Sequence, residues 1–135
     1  MSEKRLGKTY TLSMEKRVII LKRLREVLEP RGRLVFVVIF GSFISKSFFR
    51  DIDLGVYLKE FHGDAVDAAV YAEELSAELT RRIGIPIDVV VLNYAPMWLK
   101  LRALKGKVII DRDPIQRLAL KLAAIDNHLT QKNLC

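Results

Sequence analysis

The chain has 135 residues, half of them hydrophobic and 29% charged, which suits one folded domain and excludes a disordered protein. A formal net charge of +7 favours anionic ligands such as nucleotides or nucleic acid, but it suits solubility alone equally well. The one cysteine, Cys135, cannot form an internal disulfide, which fits a reducing cytoplasm. The longest apolar stretch is shorter than the roughly 20 residues that a membrane span needs. We therefore expect a cytoplasmic protein that does not enter a membrane.

The sequence is typical of one domain with short ends. No linker, internal repeat or low-complexity segment divides it. We expect a polar lead-in over residues 1–12, a single domain over 13–130 and a tail over 131–135. Ser13 is placed to cap the first helix, and Pro30 ends that helix.

Four apolar runs predict four strands, at residues 33–40, 52–58, 87–92 and 107–110. The first run has no polar alternation, so we expect a strand that is buried on both faces. The second and third runs flank a long helical pattern and should form parallel strands with a right-handed crossover. The fourth run is short and should lie at the edge of the sheet.

Helix signals separate these strands. Asp64 and Asp67 form a capping-box pattern, and Pro96 opens a later helix. In that later helix Trp98 is expected to pack in the core, with a partner-docking face as the alternative. Asp113-Pro114 caps a terminal helix, which has one apolar face at positions 115, 118, 122, 125 and 129. The order of elements predicts an α/β fold in which a four-stranded mixed sheet packs with about four helices.

A Gly-Ser pair follows the buried strand directly. Gly41 allows a sharp turn and close approach of a ligand to the backbone, and amides exposed there suit phosphate oxygens. Ser42 adds a hydroxyl donor. Gly-Ser ends many strands, so this pair alone is a weak signal.

Two acids enter the second strand. Asp51 and Asp53 are two residues apart, so their side chains point to the same face of a strand. Adjacent carboxylates repel each other unless a cation lies between them, and hard divalent ions prefer oxygen ligands. An isolated pair of this kind is more often two solvated acids on an edge strand.

A third acid interrupts the apolar run at 87–92. Asp88 is costly to bury without a partner. If its strand lies beside the second strand, Asp88 joins Asp51 and Asp53. A salt bridge to Arg81, Arg82 or an arginine of the first helix explains it equally well when it is considered alone.

The combination is more specific than its parts. It resembles the minimal nucleotidyltransferases (MNT) of the DNA polymerase β superfamily, whose signature is h-G-S, a variable loop and D-h-D-h, followed by a third carboxylate on a nearby strand (h is apolar). Here the signature consists of Phe40-Gly41-Ser42, the loop 43–50, Asp51-Ile52-Asp53-Leu54, and Asp88 as the third acid. The resemblance extends from the first helix to the terminal helix.

The resemblance implies transfer of a nucleoside monophosphate, AMP from ATP, to a hydroxyl group with release of pyrophosphate. It implies that Asp51, Asp53 and Asp88 are catalytic and hold two Mg²⁺ ions. It also implies that Gly41 and Ser42 bind the β- and γ-phosphates.

The loop after Gly-Ser departs from the family pattern. Many relatives have Ala-Arg-Gly after Gly-Ser-x and a longer loop, whereas this chain has Ser45 in place of the arginine and Lys46 in place of the glycine. We expect Lys46 to supply the missing positive charge at the phosphates. Ser47 and Arg50 are further candidates.

The resemblance also suggests a partner. Small members are similar to the MNT half of two-gene toxin–antitoxin systems, in which the MNT protein adenylylates a tyrosine of an all-helical HEPN toxin. A HEPN partner is therefore implied beside the nucleoside triphosphate, nucleic acid is not required, and a homo-oligomer is left open. The main alternative is a non-catalytic module of the same fold that neutralises a helical partner by contact. The altered loop favours that alternative, and the three intact acids oppose it.

Overall fold

The computed structural model describes residues 8–134, with side chains described to residue 130, so Cys135 and residues 1–7 of the lead-in lie outside it. Its helices and strands, in chain order, are β1 (Tyr10–Thr11), α1 (Met14–Leu28), β2 (Leu34–Phe40), α2 (Ser42–Ser45), β3 (Phe48–Phe49), β4 (Ile52–Leu58), α3 (Ala65–Ile83), β5 (Ile87–Val91), α4 (Met97–Leu104), β6 (Lys107–Asp111) and α5 (Pro114–Leu134). A 3₁₀ turn at Leu92–Tyr94 joins β5 to α4. None of the helices in this part of the chain combines the length and apolar character that crossing a membrane requires.

The main sheet has four strands in the order β5-β4-β2-β6. β4 and β5 are parallel, and β2 runs antiparallel to both β4 and β6. This arrangement confirms the mixed sheet, the parallel pair joined through α3 and the short fourth strand at the edge. Every residue of the central strand β2 is buried, as its unbroken apolar run predicts.

The sheet separates two apolar layers. On one face, Ile52 and Leu54 of β4 pack with Leu24 of α1 and Leu79 of α3. The opposite face carries Phe40 and neighbouring residues, which pack with α4 and, through partly buried Leu120, with α5. Because successive side chains of a strand point to opposite faces, burial of Ile52 and Leu54 turns the residue between them toward the α4 side.

The predicted helix caps are present. The Ser13 side chain accepts a hydrogen bond from the Lys16 amide, and Asp64 and Asp67 form the reciprocal capping box. Asp113 Oδ1 accepts from the Gln116 amide. These contacts need only neighbouring residues, which is why local sequence predicts them.

The end of the expected lead-in takes part in the fold. Residues Tyr10–Thr11 pair antiparallel with Phe48–Phe49, and the Tyr10 and Phe49 rings stack at 5.6 Å. A two-residue strand has no periodicity to detect, because its pairing depends on a segment nearly forty residues away. At the other end, α5 continues to Leu134, into the residues that were expected to form a tail.

Two apolar surfaces differ from expectation. The apolar positions of α5 share one face, but that face points outward: Ile115 is 81% exposed and Leu122 66%, whereas Ala124 is fully buried. Trp98 is 65% exposed, so the prediction that it packs in the core is wrong, although Leu101 of the same helix is buried. A periodic stripe identifies a face, but only the tertiary structure decides which face another element covers.

Arg17 of α1 holds the loop 43–50 in place. Its guanidinium group donates to the carbonyl oxygens of Phe43 and Ser47, and it lies 5.1 Å from the ring centres of both Phe43 and Phe49. Charged side chains on a surface helix are mostly solvated. Arg17 instead connects α1 to the segment that follows Gly41-Ser42.

Replacement of Arg17 tests this connection. Arg17→Ala should lower the free energy of unfolding by about 2 kcal/mol, because it removes charge-assisted hydrogen bonds to backbone carbonyls. Urea unfolding followed by circular dichroism measures the change. Lys22→Ala, an exposed position on the same helix, is the control and should change stability by less than about 0.5 kcal/mol. Equal effects of the two substitutions would show that Arg17 is an ordinary surface residue.

Candidate active site

The Gly-Ser pair forms a bend between β2 and the short helix α2. Gly41 has φ +82°, a conformation that residues with a side chain rarely adopt, and Ser42 is the first residue of α2. The amides of Ile44 and Ser45 both donate to the Gly41 carbonyl at 3.1 Å. The chain therefore turns sharply at the end of the buried strand, as the sequence predicts.

The three aspartates meet beside this bend. Asp53 of β4 and Asp88 of β5 are direct partners across the parallel strand pair, so their side chains lie on the same face of the sheet. Asp51 immediately precedes β4. One carboxylate oxygen from each of the three residues lies within 4.8 Å of the other two, and all three residues are partly buried. The structure thus brings together the three acids that the sequence singled out.

The bend and the acids are in direct contact. Phe40 of β2 is paired with Asp53, which places the next residue, Gly41, beside the Asp53 carboxylate. A Cβ atom at position 41 would lie 2.3 Å from Asp53 Oδ2, well inside van der Waals contact. Glycine is therefore needed at position 41 for both its backbone conformation and the space that Asp53 occupies.

The clustered carboxylates change the acidity of Asp53. Burial, together with the neighbouring charges of Asp51 and Asp88, raises the pKa of Asp53 to about 7. The positive charge of Arg102 on α4 acts in the opposite direction and lowers it. In the absence of a cation, Asp53 therefore holds a proton through much of the acidic pH range.

A cavity of about 320 Å³ borders the bend. Gly41 and Ser42 line it together with three basic side chains, those of Lys46, Arg102 and Lys105. The Arg102 guanidinium is also 5.8 Å from the centre of the Phe40 ring. The acids beside Gly41 match the charge of a metal ion, and the bases that line this cavity match the charge of a polyphosphate.

Gly106 brings the basic end of α4 to this cavity. A Cβ atom at position 106 would lie 2.1 Å from the Ile39 carbonyl oxygen, so the chain after α4 packs directly against the backbone of β2. Arg102 lies one helical turn before this contact. Arg102 and Lys105 could not be predicted from the sequence, because they are far from Gly41 along the chain and no local pattern connects them to it.

Of the residues proposed to replace the family's loop arginine, Lys46 lines the cavity. The carbonyl oxygen of Ser47 accepts a hydrogen bond from Arg17, and Ser47 lines the neighbouring cavity beneath α1. Arg50 lines neither of these two cavities. The positive charge around Gly41-Ser42 therefore comes from both Lys46 and α4.

The donor set of the acid cluster suits a hard divalent cation. Its ligands are three carboxylates and no nitrogen or sulfur, which is the chemistry that Mg²⁺ prefers. A divalent cation would also offset the burial and the carboxylate repulsion that together raise the pKa of Asp53. No other group of three such ligating side chains occurs over residues 8–130.

A four-stranded mixed sheet with three acids beside a Gly-Ser bend defines a nucleotidyltransferase domain. The sequence matches the family described as "Polymerase beta, Nucleotidyltransferase" over residues 22–115, which is more than half of the chain. The chain therefore belongs to the polymerase β nucleotidyltransferase family. A search of curated protein sequences finds no match.

Solved structures with the same fold include toxin–antitoxin complexes. A chain from the complex of tri-AMPylated Shewanella oneidensis HEPN toxin with MNT antitoxin has a TM-score of 0.68 at 17% identity, covering 87% of this chain and 90% of that one. The toxin–antitoxin MntA-HepT gives 0.67 at 16% identity, covering 86% and 90%. A toxin–antitoxin structure with AMP-PNP gives 0.64 at 19% identity, covering 90% and 91%. At these identities the similarity establishes the fold.

The raised pKa of Asp53 predicts how stability depends on pH. Without metal, the free energy of unfolding should fall as pH rises from about 4 to about 7, because the folded state keeps a proton on Asp53 that the unfolded chain has released. Asp53→Asn should lack this pH dependence. Its free energy of unfolding relative to the wild type should therefore increase by about 1 to 2 kcal/mol when the pH is raised from 5 to 8.

Urea unfolding of both proteins in EDTA at the two pH values measures the difference. Asp126→Asn, at an exposed position on α5, controls for loss of one negative charge. Parallel pH profiles for the wild type and Asp53→Asn would contradict the prediction. Addition of Mg²⁺ should stabilise the wild type and not Asp53→Asn.

Proposed function

We propose that this protein is a metal-dependent adenylyltransferase, which transfers AMP from ATP to a hydroxyl group of a HEPN partner and thereby acts as an antitoxin. The observation that supports the chemistry is the convergence of Asp51, Asp53 and Asp88 within 4.8 Å beside the Gly41-Ser42 bend. Support for the partner comes from the structural relatives, one of which holds an AMPylated HEPN toxin and another AMP-PNP.

One group of residues is assigned to the phosphates of the nucleotide, and the three acids are assigned to the metal. The Gly41 amide and the Ser42 hydroxyl donate hydrogen bonds to the β- and γ-phosphates, and Lys46 and Arg102 balance their negative charge. Asp51, Asp53 and Asp88 would hold Mg²⁺, with two ions expected. Bound Mg²⁺ supplies charge neutralisation at the phosphates and a lower pKa for the acceptor hydroxyl.

The reaction is a substitution at phosphorus. The acceptor oxygen forms a bond to the α-phosphorus, and the bond from that phosphorus to the oxygen bridging the β-phosphate breaks. Pyrophosphate leaves, and Asp88 accepts the hydroxyl proton. Most of the rate enhancement comes from alignment and charge stabilisation, which the rigid end of the sheet provides.

One observation favours an alternative function, that of a non-catalytic module of the same fold. Ser45 stands where many family members have an arginine, as expected if the fold now only binds a partner. Arg102 and Lys105 provide positive charge at the same cavity from another helix, which favours the enzyme. Calorimetry separates the two functions, because only the enzyme should bind ATP in a Mg²⁺-dependent manner.

Asp53→Asn should abolish AMP transfer, by at least about 10³-fold, while the fold is retained. The protein is purified with its co-purifying partners and incubated with Mg²⁺ and ATP labelled at either the α- or the γ-phosphate. Label from the α-phosphate should appear on the partner, and label from the γ-phosphate should not. Asp126→Asn should transfer AMP normally. Full activity of Asp53→Asn would disprove the assignment of the three acids.

Arg102→Ala should weaken Mg²⁺-dependent ATP binding by about tenfold, or about 1.4 kcal/mol, because it removes a positive charge next to the phosphates. Arg81→Ala is the matched control, since Arg81 is exposed in the last turn of α3 on the opposite face of the sheet. Calorimetric titration of each protein with ATP in Mg²⁺ gives the comparison. Equal affinities for the two variants would place the phosphates away from α4.

A further inference from the structure

The outer edge of β5 is partly uncovered. Within residues 8–134, β5 pairs with β4 alone. The Ile52 amide donates to the Pro86 carbonyl at 3.0 Å, which fixes the hydrogen-bond phase of this parallel ladder. In such a ladder every second residue directs its N–H and C=O groups to the strand on one side. The residues between them direct theirs to the opposite side. Asp88 and Val90 therefore bond to β4 through their backbones, and Ile87 and Val89 direct their backbone groups outward.

Side chains of α3 form hydrogen bonds to the outward backbone groups of Ile87 and leave those of Val89 exposed to the space beside them. The Ile87 amide donates to Thr80 Oγ1 at 3.0 Å, and the Ile87 carbonyl accepts from Ser76 Oγ. Farther along β5, α3 instead presents Ala68 and Ala72, whose side chains cannot form hydrogen bonds. The outward N–H and C=O of Val89 thus face a space that no hydroxyl of α3 fills.

That space is a groove of about 400 Å³ between α3 and the start of α4. Its walls include Ala69 and Ala72 on one side and Pro96 and Leu99 on the other, with Val89 at the base. The lining is mostly apolar, and the one charged side chain that residues 8–130 contribute to it is acidic, that of Glu73. An apolar groove along a free strand edge has the chemistry that recognises an extended peptide, through its backbone and its alternate side chains.

The groove is continuous with the acid cluster because Asp88 immediately precedes Val89 in β5. A residue paired with Asp88 on an added strand would place its side chain on the same face of the sheet as Asp88 and Asp53. We propose that the acceptor of AMP is an extended peptide segment that pairs with the free edge of β5 and presents a hydroxyl side chain to Asp88.

This inference rests on the proposed function and specifies its acceptor. The hydroxyl oxygen of the bound segment bonds to the α-phosphorus, pyrophosphate leaves, and the proton passes to Asp88. The groove does not suit RNA, because Glu73 would repel phosphates and none of the described residues that line it is basic. A small alcohol has no peptide backbone to pair with the N–H and C=O groups of Val89, so these groups would add nothing to its binding.

The probe is a nonapeptide with a central tyrosine, alternating valine and threonine on either side, and lysine at both ends. A second peptide has the same sequence with its backbone amides N-methylated, which prevents strand pairing but keeps the hydroxyl. Two measurements are made with each: hydrogen-exchange protection of the Val89 amide, and AMP transfer from α-labelled ATP in Mg²⁺. The unmodified peptide should protect Val89 and accept AMP at least tenfold faster than its N-methylated form.

Three variants localise the effect. Val89→Pro removes the outward donor without removing a ladder hydrogen bond to β4, as proline allows on an edge strand. Ala72→Phe fills the groove, and Ala77→Phe adds the same bulk at an exposed position on another face of α3. Val89→Pro and Ala72→Phe should each lower peptide labelling at least tenfold while ATP binding is kept, and Ala77→Phe should leave labelling unchanged.

The outcomes separate this inference from the proposed function. Equal use of the two peptides, no protection of Val89, or displacement of the peptide by an RNA oligonucleotide would overturn the acceptor groove. If ATP still binds with Mg²⁺ in those cases, the adenylyltransferase assignment stands. Protection of Val89 by the unmodified peptide alone, without any transfer of AMP, would support the groove and count against the proposed function.

Discussion

Mutual repulsion among three carboxylates is the constraint on which this site depends. Their oxygens lie within 4.8 Å of one another, and burial beside Asp51 and Asp88 raises the pKa of Asp53 to about 7. The sheet imposes this arrangement, because Ile52 and Leu54 are buried on the opposite face and leave Asp53 no other direction. A divalent cation relieves the repulsion, so the folding energy that holds the acids together becomes affinity for metal.

Both kinds of charge that a metal-bound nucleotide requires lie close to Gly41: carboxylates for the metal ion and basic side chains for the phosphates. The Asp53 carboxylate lies next to Gly41, and Lys46 and Arg102 line the cavity that Gly41 and Ser42 border. The loop after Ser42 departs from the family signature, yet it is well anchored, because Arg17 binds two of its carbonyl oxygens. Arg102 and Lys105 at the end of α4 add positive charge at the same cavity, and Gly106 allows the chain after that helix to approach β2.

The same strand that carries Asp88 also has a partly open edge. Thr80 and Ser76 of α3 cap the Ile87 backbone, and the helix then presents alanines beside Val89. A free strand edge normally invites unwanted pairing, so its confinement to a narrow groove next to the acids limits what can bind there. Substrate selection and chemistry would then depend on one strand.

The sequence by itself determined the parts that depend on neighbouring residues: the helix caps, the buried run of β2, and the two motifs around Gly41 and Asp53. It also predicted the third acid, because Asp88 is conspicuous in an apolar strand. Only the tertiary structure decided that Asp53 and Asp88 are partners, that Arg102 reaches the Gly41 cavity, and that the apolar stripe of α5 faces outward. These features arise from strand register and packing between distant segments, whose outcome is set by the whole core and leaves no pattern in local sequence.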